Sequence, residues 1–440
     1  MRLLLILSES WNDRTRPNNN MTNWFTGFPG LEIWTISGSG IRPENRCCSH
    51  HFLFHENKML KSLFTCKPVG EHVILNQSDI SSVRSNEGVE LSSNRTLKKY
   101  LASDPIRLCQ DFVWRFGKYN LPALRGFVQE CNPDLVFSIR TATIKTCRLE
   151  TIVSSMTSAP MVVYTGDDEY SLQQFFLSPF SWIRRLWTRS WLKKTIPLYR
   201  VIFSQSERQM AEFRRDFGSQ TEFLVKCGEF SKEKIHRTVG KPIQLIFAGK
   251  LYCNRWKTLG MVAKAIRAIN AEAHELLLQL NIYTGDVITW RQDRLLNDGV
   301  HSIIHGSVTP KKLEEVYQNG DIAMHVESFD LRNRLLTKDS FSTKVIDLLA
   351  SGCAVMAVCW EKHAAGQYLR AKDAAMVVNS QNEILAILRR ISRQPDLILE
   401  YAQKAYQCGM ANHQRHIVQK QLMDCFQRVI NENKNHSGVD

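Results

Sequence analysis

Short apolar runs alternate with stretches of helical spacing along most of the chain. Arg2–Leu7 (RLLLIL) is a continuous apolar run that stops at the polar SESWNDRTRPNNN, the pattern of a buried strand entering a loop. A helical stretch over Met21–Phe28 and a second strand at Leu31–Ser37 follow. Residues 41–100 hold scattered apolar pieces that assign no topology. From Pro105 to Cys131 the apolar positions return to helical spacing, Ile106, Phe112, Val113, Phe116, Leu124 and Phe127 among them. Pro133–Ile139 and Pro160–Gly166 then read as strands, with a helix near Arg148–Thr157 between them.

The second half repeats the alternation more cleanly. Strands are expected at Ile243–Gly249, Leu276–Gly285, His301–Gly306, Asp321–Glu327 and Cys353–Val358. Helices are expected at Leu259–Ile269, Pro310–Gln318 and Ser340–Gly352, then at Ile384–Arg393, Pro395–Tyr406 and Gln419–Ile430. Such β–α alternation predicts an α/β protein with parallel, doubly wound sheets that bind ligands at the carboxyl ends of their strands. At 440 residues the chain suits two domains of roughly 200 residues each. The expectation is two Rossmann-like domains, 1–218 and 219–410, facing across a cleft, with a terminal helix in 411–440 packing back on the first.

Composition narrows the partners. There are 57 basic against 43 acidic residues, a net charge of +14, which favours polyanions: nucleic acid, an anionic membrane face or phosphorylated small molecules. No helix-turn-helix, RNP-like or zinc-finger pattern supports nucleic acid. The 12 cysteines form no CxxC pair and the 13 histidines no HExxH, so no metal ligand set is read here, and a reducing cytoplasm is the simpler inference. The apolar core of MRLLLILSES is only Leu3–Leu7, without a small-residue cleavage pattern, so a first strand is expected rather than a signal peptide. The longest uncharged, mainly apolar run, Leu348–Trp360, is too short for a bilayer core of about 30 Å. Phe175–Arg200 differs from the rest. Ile183, Leu186, Trp187 and Trp191 fall on one helical face, with Arg184, Arg185, Arg189 and Lys193 on the others. That composition suits the plane of an anionic bilayer, although a core-facing helix with a charged exterior has the same spacing.

Candidate chemistry concentrates in Lys338–Val358. Ser342 or Thr343 is suited to cap the following helix, which ends at Gly352, and a helix N-terminus offers unpaired N–H groups to a phosphate. A dipole contributes only about 0.3–1 kcal/mol, so a diphosphate needs side-chain cations as well. Lys250 and Lys257, after the strand ending at Gly249, are candidates, although each alone could be a surface lysine. Asp339 and Asp347 can accept hydrogen bonds from sugar hydroxyls, or be ordinary solvated acids near a helix start. Asp167 and Asp168 end a strand of the first half and are candidates for acceptor binding or base assistance, or an ordinary polar turn.

These residues, in this order, resemble the donor domain of family-4 retaining glycosyltransferases of the GT-B fold. The family's acid, seven residues, acid signature is similar to Asp339 and Asp347 here, with aspartates in place of glutamates. Its Gly-Phe-Gly turn is similar to Ser340-Phe341-Ser342, and its two diphosphate-binding cations to Lys250 and Lys257. IYTGD, HGSV and LEEVYQNGDIAMHVES keep the family's order over roughly residues 200–410. The resemblance implies that Asp347 binds the ribose, Asp339 faces the donor sugar, and amides of Phe341–Thr343, beside Gly249, hold phosphate. It also implies a UDP- or GDP-sugar donor without cofactor or metal, a glycan or lipid-linked acceptor, and envelope or capsular polysaccharide assembly; with Phe175–Arg200, a lipid-linked acceptor gives the expectation of a cytoplasmic protein peripheral on the inner face of the membrane. A nucleotide-sugar epimerase and a binding protein that has lost catalysis are the alternatives.

Overall fold

The computed structural model describes residues 1–13, 20–75, 103–141, 143–168, 170–174, 176–230 and 238–437. The chain divides into two compact units, Met1–Leu224 with Gln419–Asp440, and Val225–Val418.

In the first unit the apolar runs become β1 (Arg2–Leu7), β2 (Glu32–Ser37), β3 (His50–Leu53), β4 (Glu71–Ile74), β5 (Leu135–Arg140), β6 (Met161–Thr165), β7 (Tyr199–Ser204) and β8 (Gln220–Phe223). They form one sheet in the order β4-β3-β2-β1-β5-β6-β7-β8. The chain leaves β1 toward β2 and returns to its other edge with β5, so strand order reverses between β1 and β5. The second unit repeats the plan. Here β9 (Ile243–Ala248), β10 (Leu278–Tyr283), β11 (Ser302–His305), β12 (Ile322–Val326), β13 (Ala354–Val358) and β14 (Met376–Val378) run β11-β10-β9-β12-β13-β14, all parallel. Its reversal lies between β9 and β12.

Both sheets are buried by helices, as continuous apolar strands require. Leu245, Phe247, Leu280, Ile282, Met324 and Val326 pack with Leu259, Ile266 and Leu388 in the second unit. Leu4, Ile6, Val136 and Val163 pack with Trp114 and Phe127 in the first. Each such side chain contributes about 1.5–3 kcal/mol by leaving water.

Three sequence expectations are corrected, and two helices are added. The first sheet is not wholly parallel, because the four-residue edge strand β4 pairs antiparallel with β3. The helical stretch Pro105–Cys131 is two helices, Asp104–Phe116 and Leu121–Cys131. Between them the backbone leaves the helix so that Val69 N–H can donate to Lys118 O and Asn120 N–H to Val69 O, and the Asn120 side chain caps the new helix. The helix expected over Ser340–Gly352 starts only at Lys344 and ends at Ala350. Leu331–Thr337 and Ala364–Ala371 are helices that no strong periodicity announced.

The basic, Trp-rich segment folds as the helix Pro179–Thr195, with its polar side turned inward. Ser181, Arg185, Thr188, Leu192 and Thr195 are buried, while Ile183 and Leu186 are each 53% exposed. Arg185 donates to Asp168 and Arg184 to Asp111, so ion pairs hold this helix where apolar contacts would be usual.

The terminal helix Arg415–Ser437 leaves the second unit and joins the first from Gln419 onward. Gln419 donates to the Trp24 and Thr26 carbonyls, and the buried Phe426 ring meets Phe137 at 5.7 Å. Phe426→Ala is expected to cost about 3–5 kcal/mol through the cavity it leaves. Urea unfolding followed by circular dichroism measures it, and an unchanged midpoint would mean the helix is not part of the cooperative unit.

Candidate functional site

In open α/β sheets a ligand sits outside the carboxyl ends of the strands where strand order reverses. In the second unit that is the end of β9 beside β12, which opens into Gly249 and Glu327 respectively. Gly249 N–H donates to Tyr283 O at 2.9 Å, and a methyl group there would lie 2.9 Å from Lys344 Nζ. A side chain at 249 would displace the lysine amine that occupies this space.

Lys344 is the first residue of the helix Lys344–Ala350, and its amine donates to Ala248 O at 3.0 Å. Packing around that amine, with the positive charges of Arg255 and Lys250 nearby, lowers its pKa; Asp347 and Asp286 only partly offset them. Arg255 begins the helix Arg255–Ala273 and holds Glu327 through two hydrogen bonds, Nε–Oε2 at 3.1 Å and Nη2–Oε1 at 2.5 Å. Its guanidinium also lies 4.6 Å from the Tyr252 ring. Burial pushes the Glu327 carboxyl upward and Arg255 pulls it back, with burial the larger effect. Lys250 is exposed and forms no ion pair among the described residues. The region is thus rich in cations, which suits a diphosphate.

Lys257 lies elsewhere on the same helix. It is half exposed and reaches Asp330 at 3.9 Å. The hydrogen bond from Asn254 and the charge of Lys257 lower the Asp330 pKa. Arg255 is therefore the cation at the strand end that sequence reasoning missed. Its signal was present: it is the first helical residue after the loop that follows β9.

The two acids differ in setting. Asp339 is 1% exposed and its carboxylate lies 3.6 Å from the equally buried Lys338 amine. Asp347 is half exposed and accepts a 2.8 Å hydrogen bond from the buried Lys226. Lys226 had no motif to announce it. Between the acids, Ser340 N–H donates to Thr337 O, and the buried Phe341 ring meets Tyr368 edge-on at 5.4 Å. Ser342 is half-buried and Thr343 exposed. The expected side-chain cap is absent: Thr343 stands at the helix start without such a bond, and Val345 N–H is taken by Ser342 O. A phosphate would meet side-chain cations here more than free amides.

Asp168 belongs to the first unit and is engaged there. It accepts from Arg185 at 2.8 Å, from Ser171 N–H at 2.9 Å and from Ser171 Oγ at 2.5 Å. Asp167 O accepts from Gln209. Arg185 ties the loop after β6 to the helix Pro179–Thr195, and Gln209 ties it to the helix Glu207–Phe217.

Two doubly wound sheets of this kind make up the fold of the GT-B glycosyltransferases, and solved structures agree. Residues 249–424 match the family model described as glycosyl transferase-like. Over 97% of its length the chain shares its fold with all of HepE from Anabaena in complex with UDP, at 10% identity and a TM-score of 0.60. It is also similar to sucrose-phosphate synthase from Thermosynechococcus elongatus, at 12% identity and a TM-score of 0.55 over 98% of this chain and 100% of that one. A trehalose-6-phosphate protein from E. coli bound with UDP-2-fluoro glucose matches at 11% identity and a TM-score of 0.56, over 97% and 99% of the two chains. At these identities the shared property is the fold. No curated protein matches by sequence. No described helix is long and apolar enough to cross a membrane.

Asp168→Asn is expected to lower stability by about 3 kcal/mol, because Arg185 is left buried without its counter-charge. Urea unfolding checks this, and an unchanged midpoint would mean the pair is not structural.

Proposed function

We propose that this chain transfers a sugar from a nucleoside diphosphate sugar to a glycan or lipid-linked acceptor, in envelope or capsular polysaccharide assembly on the cytoplasmic side of the membrane. The observation that carries the reading is the gathering of Lys344, Arg255 and Lys250 at the strand end where a diphosphate would lie. Lys344 and Lys250 would contact phosphate oxygens, and Arg255, held by Glu327, would add its field. Asp347 would accept from the ribose hydroxyls, with Lys226 fixing its orientation. Asp339, buried with Lys338, serves in this reading as a positioning residue for the turn 340–343. Lys257, turned toward Asp330, contributes long-range charge.

The chemistry follows from where charge develops. The bond between the anomeric carbon and the diphosphate oxygen breaks and the acceptor oxygen takes its place, with the acceptor proton passing to the departing diphosphate. Cations fixed in advance around the diphosphate lower that barrier, since they need no reorganisation. Retention of anomeric configuration is part of the reading and rests on the family resemblance. A uridine nucleotide is the first donor to test, because UDP-bound proteins are among those of like fold.

The test is calorimetric titration with UDP- and GDP-sugars, followed by diphosphate release with candidate acceptors. Lys344→Met and Asp347→Ala are each expected to weaken donor binding roughly tenfold to a hundredfold, since charged hydrogen bonds contribute about 1.5–3 kcal/mol. Binding without release would support an inactive relative, and no binding of any nucleotide sugar would sink the proposal. Because the Lys344 pKa is lowered, affinity should fall with rising pH before reaching the ordinary lysine value of about 10.4. Lys344→Arg should flatten that fall, and an equally steep profile would mean that another group titrates.

A lipid-linked acceptor agrees with an exposed apolar surface on the first unit. The helix Asp104–Phe116 carries exposed Phe112 and Phe116, and it packs beside the helix bearing exposed Ile183 and Leu186. Arg115 lies 5.1 Å from the Phe116 ring and 5.2 Å from the Trp191 ring, joining the two helices. With Lys193 and Lys194 exposed at its end, this face fits an anionic bilayer. Sedimentation with anionic vesicles at low salt is expected, and loss of it in Ile183→Asp/Leu186→Asp. Equal sedimentation of that variant would reject this surface.

A further inference from the structure

The motif reading found no metal ligands, yet the fold brings three together. His325 and Glu327 stand two residues apart at the end of β12, so their side chains leave the sheet on the same face. His363, which precedes the helix Ala364–Ala371, meets them there, with the two imidazole rings 5.5 Å apart. One nitrogen from each histidine and one Glu327 oxygen all lie within 4.8 Å of one another. All three residues are buried, at 5%, 2% and 1% exposure for His325, Glu327 and His363.

From this cluster we propose that His325, Glu327 and His363 bind one transition-metal ion of the zinc class. The ligand atoms need only small side-chain rotations, because two ligands at about 2.1 Å from a tetrahedral ion stand about 3.4 Å apart. A second observation points to a ligand independently. The Nε2 atom of His325 is buried without a hydrogen-bond partner, an arrangement that ordinarily costs free energy and that a coordinate bond relieves. Arg255 binds Glu327 through both carboxylate oxygens and leaves each oxygen a further lone pair, as outer-sphere partners of metal-bound carboxylates do.

The same arginine sets the selectivity. Its charge already offsets that of Glu327, so a hard cation such as Mg2+ or Ca2+, which relies on several anionic oxygens, gains little here. Two imidazoles favour zinc, cobalt, nickel or copper instead. Burial of all three residues implies slow exchange, with the ion entering during folding or local opening. The proposal does not depend on the transferase reading, because it concerns metal binding alone.

The test uses tag-free full-length chain, made with and without zinc in the growth medium, and its metal content measured by mass spectrometry. One equivalent of zinc is expected, with cobalt replacing it to give the intense visible bands of a four- or five-coordinate histidine site. His325→Gln and His363→Gln should each lower zinc content at least tenfold while far-ultraviolet circular dichroism stays unchanged. Where a variant fails to fold, the wild-type cobalt spectrum decides. Substoichiometric metal, an octahedral cobalt spectrum or zinc content indifferent to His325→Gln would each overturn the proposal.

Discussion

Positive charge crowded at the end of β9 is the constraint around which the second unit is arranged. Burial of the Lys344 amine lowers its pKa first, and repulsion from Arg255 and Lys250 lowers it further. Glu327 offsets part of that repulsion by holding Arg255, at the expense of its own burial. The sheet supplies the rigidity. Leu245 pairs with Ile322 and Ala248 with Tyr283, so the strand end cannot relax away from its cations.

Most of the fold was legible because a buried parallel strand leaves a signature that survives without context. RLLLIL, VVY within Met161–Thr165 and AVMAV within Ala354–Val358 are continuous apolar runs bounded by polar loops. Residues 41–75 were not legible, since β3 and β4 have four residues each and β4 lies at an edge, where one exposed face removes the pattern. Residues 76–102 of the same stretch lie outside the described chain. Periodicity also fails to give the sign of a helix's orientation. The helix Pro179–Thr195 shows spacing that fits either side facing inward, and only the partners decide. Asp168 and Asp111, distant in sequence, draw Arg185 and Arg184 toward the protein and leave Ile183 and Leu186 outside.

Spacing pointed to two stretches of the second unit, the loop after β9 and Lys338–Val358. Asp339 and Asp347, with seven residues between them, lie on either side of the turn 340–343, and Gly249 lies beside the Lys344 amine. Spacing pointed to Lys257 on the following helix, whereas Arg255 is the residue of that helix that bonds Glu327 beside the strand end. Arg255 and Lys257 are two residues apart, which is about 200° around a helix, so only one can face the strand end. Asn254, in the left-handed conformation at φ 58°, fixes where the helix begins and gives that place to Arg255. Lys257 is left to Asp330.

Partner residues from elsewhere in the chain also bear on the shortened acids. An aspartate at position 347 holds its carboxylate one methylene nearer the helix axis than a glutamate would, a shortfall of roughly 1.5 Å. Lys226, from the first residues of the second unit, crosses that gap and binds one oxygen at 2.8 Å. The side chain of Asp347 remains 46% exposed, so the acid is anchored without being enclosed. Asp339 shows the opposite balance, because Lys338 is its chain neighbour and both are buried. A short acid beside a long cation is thus used twice with different outcomes. A lysine distant in sequence leaves Asp347 accessible, whereas an adjacent one accompanies Asp339 into the interior.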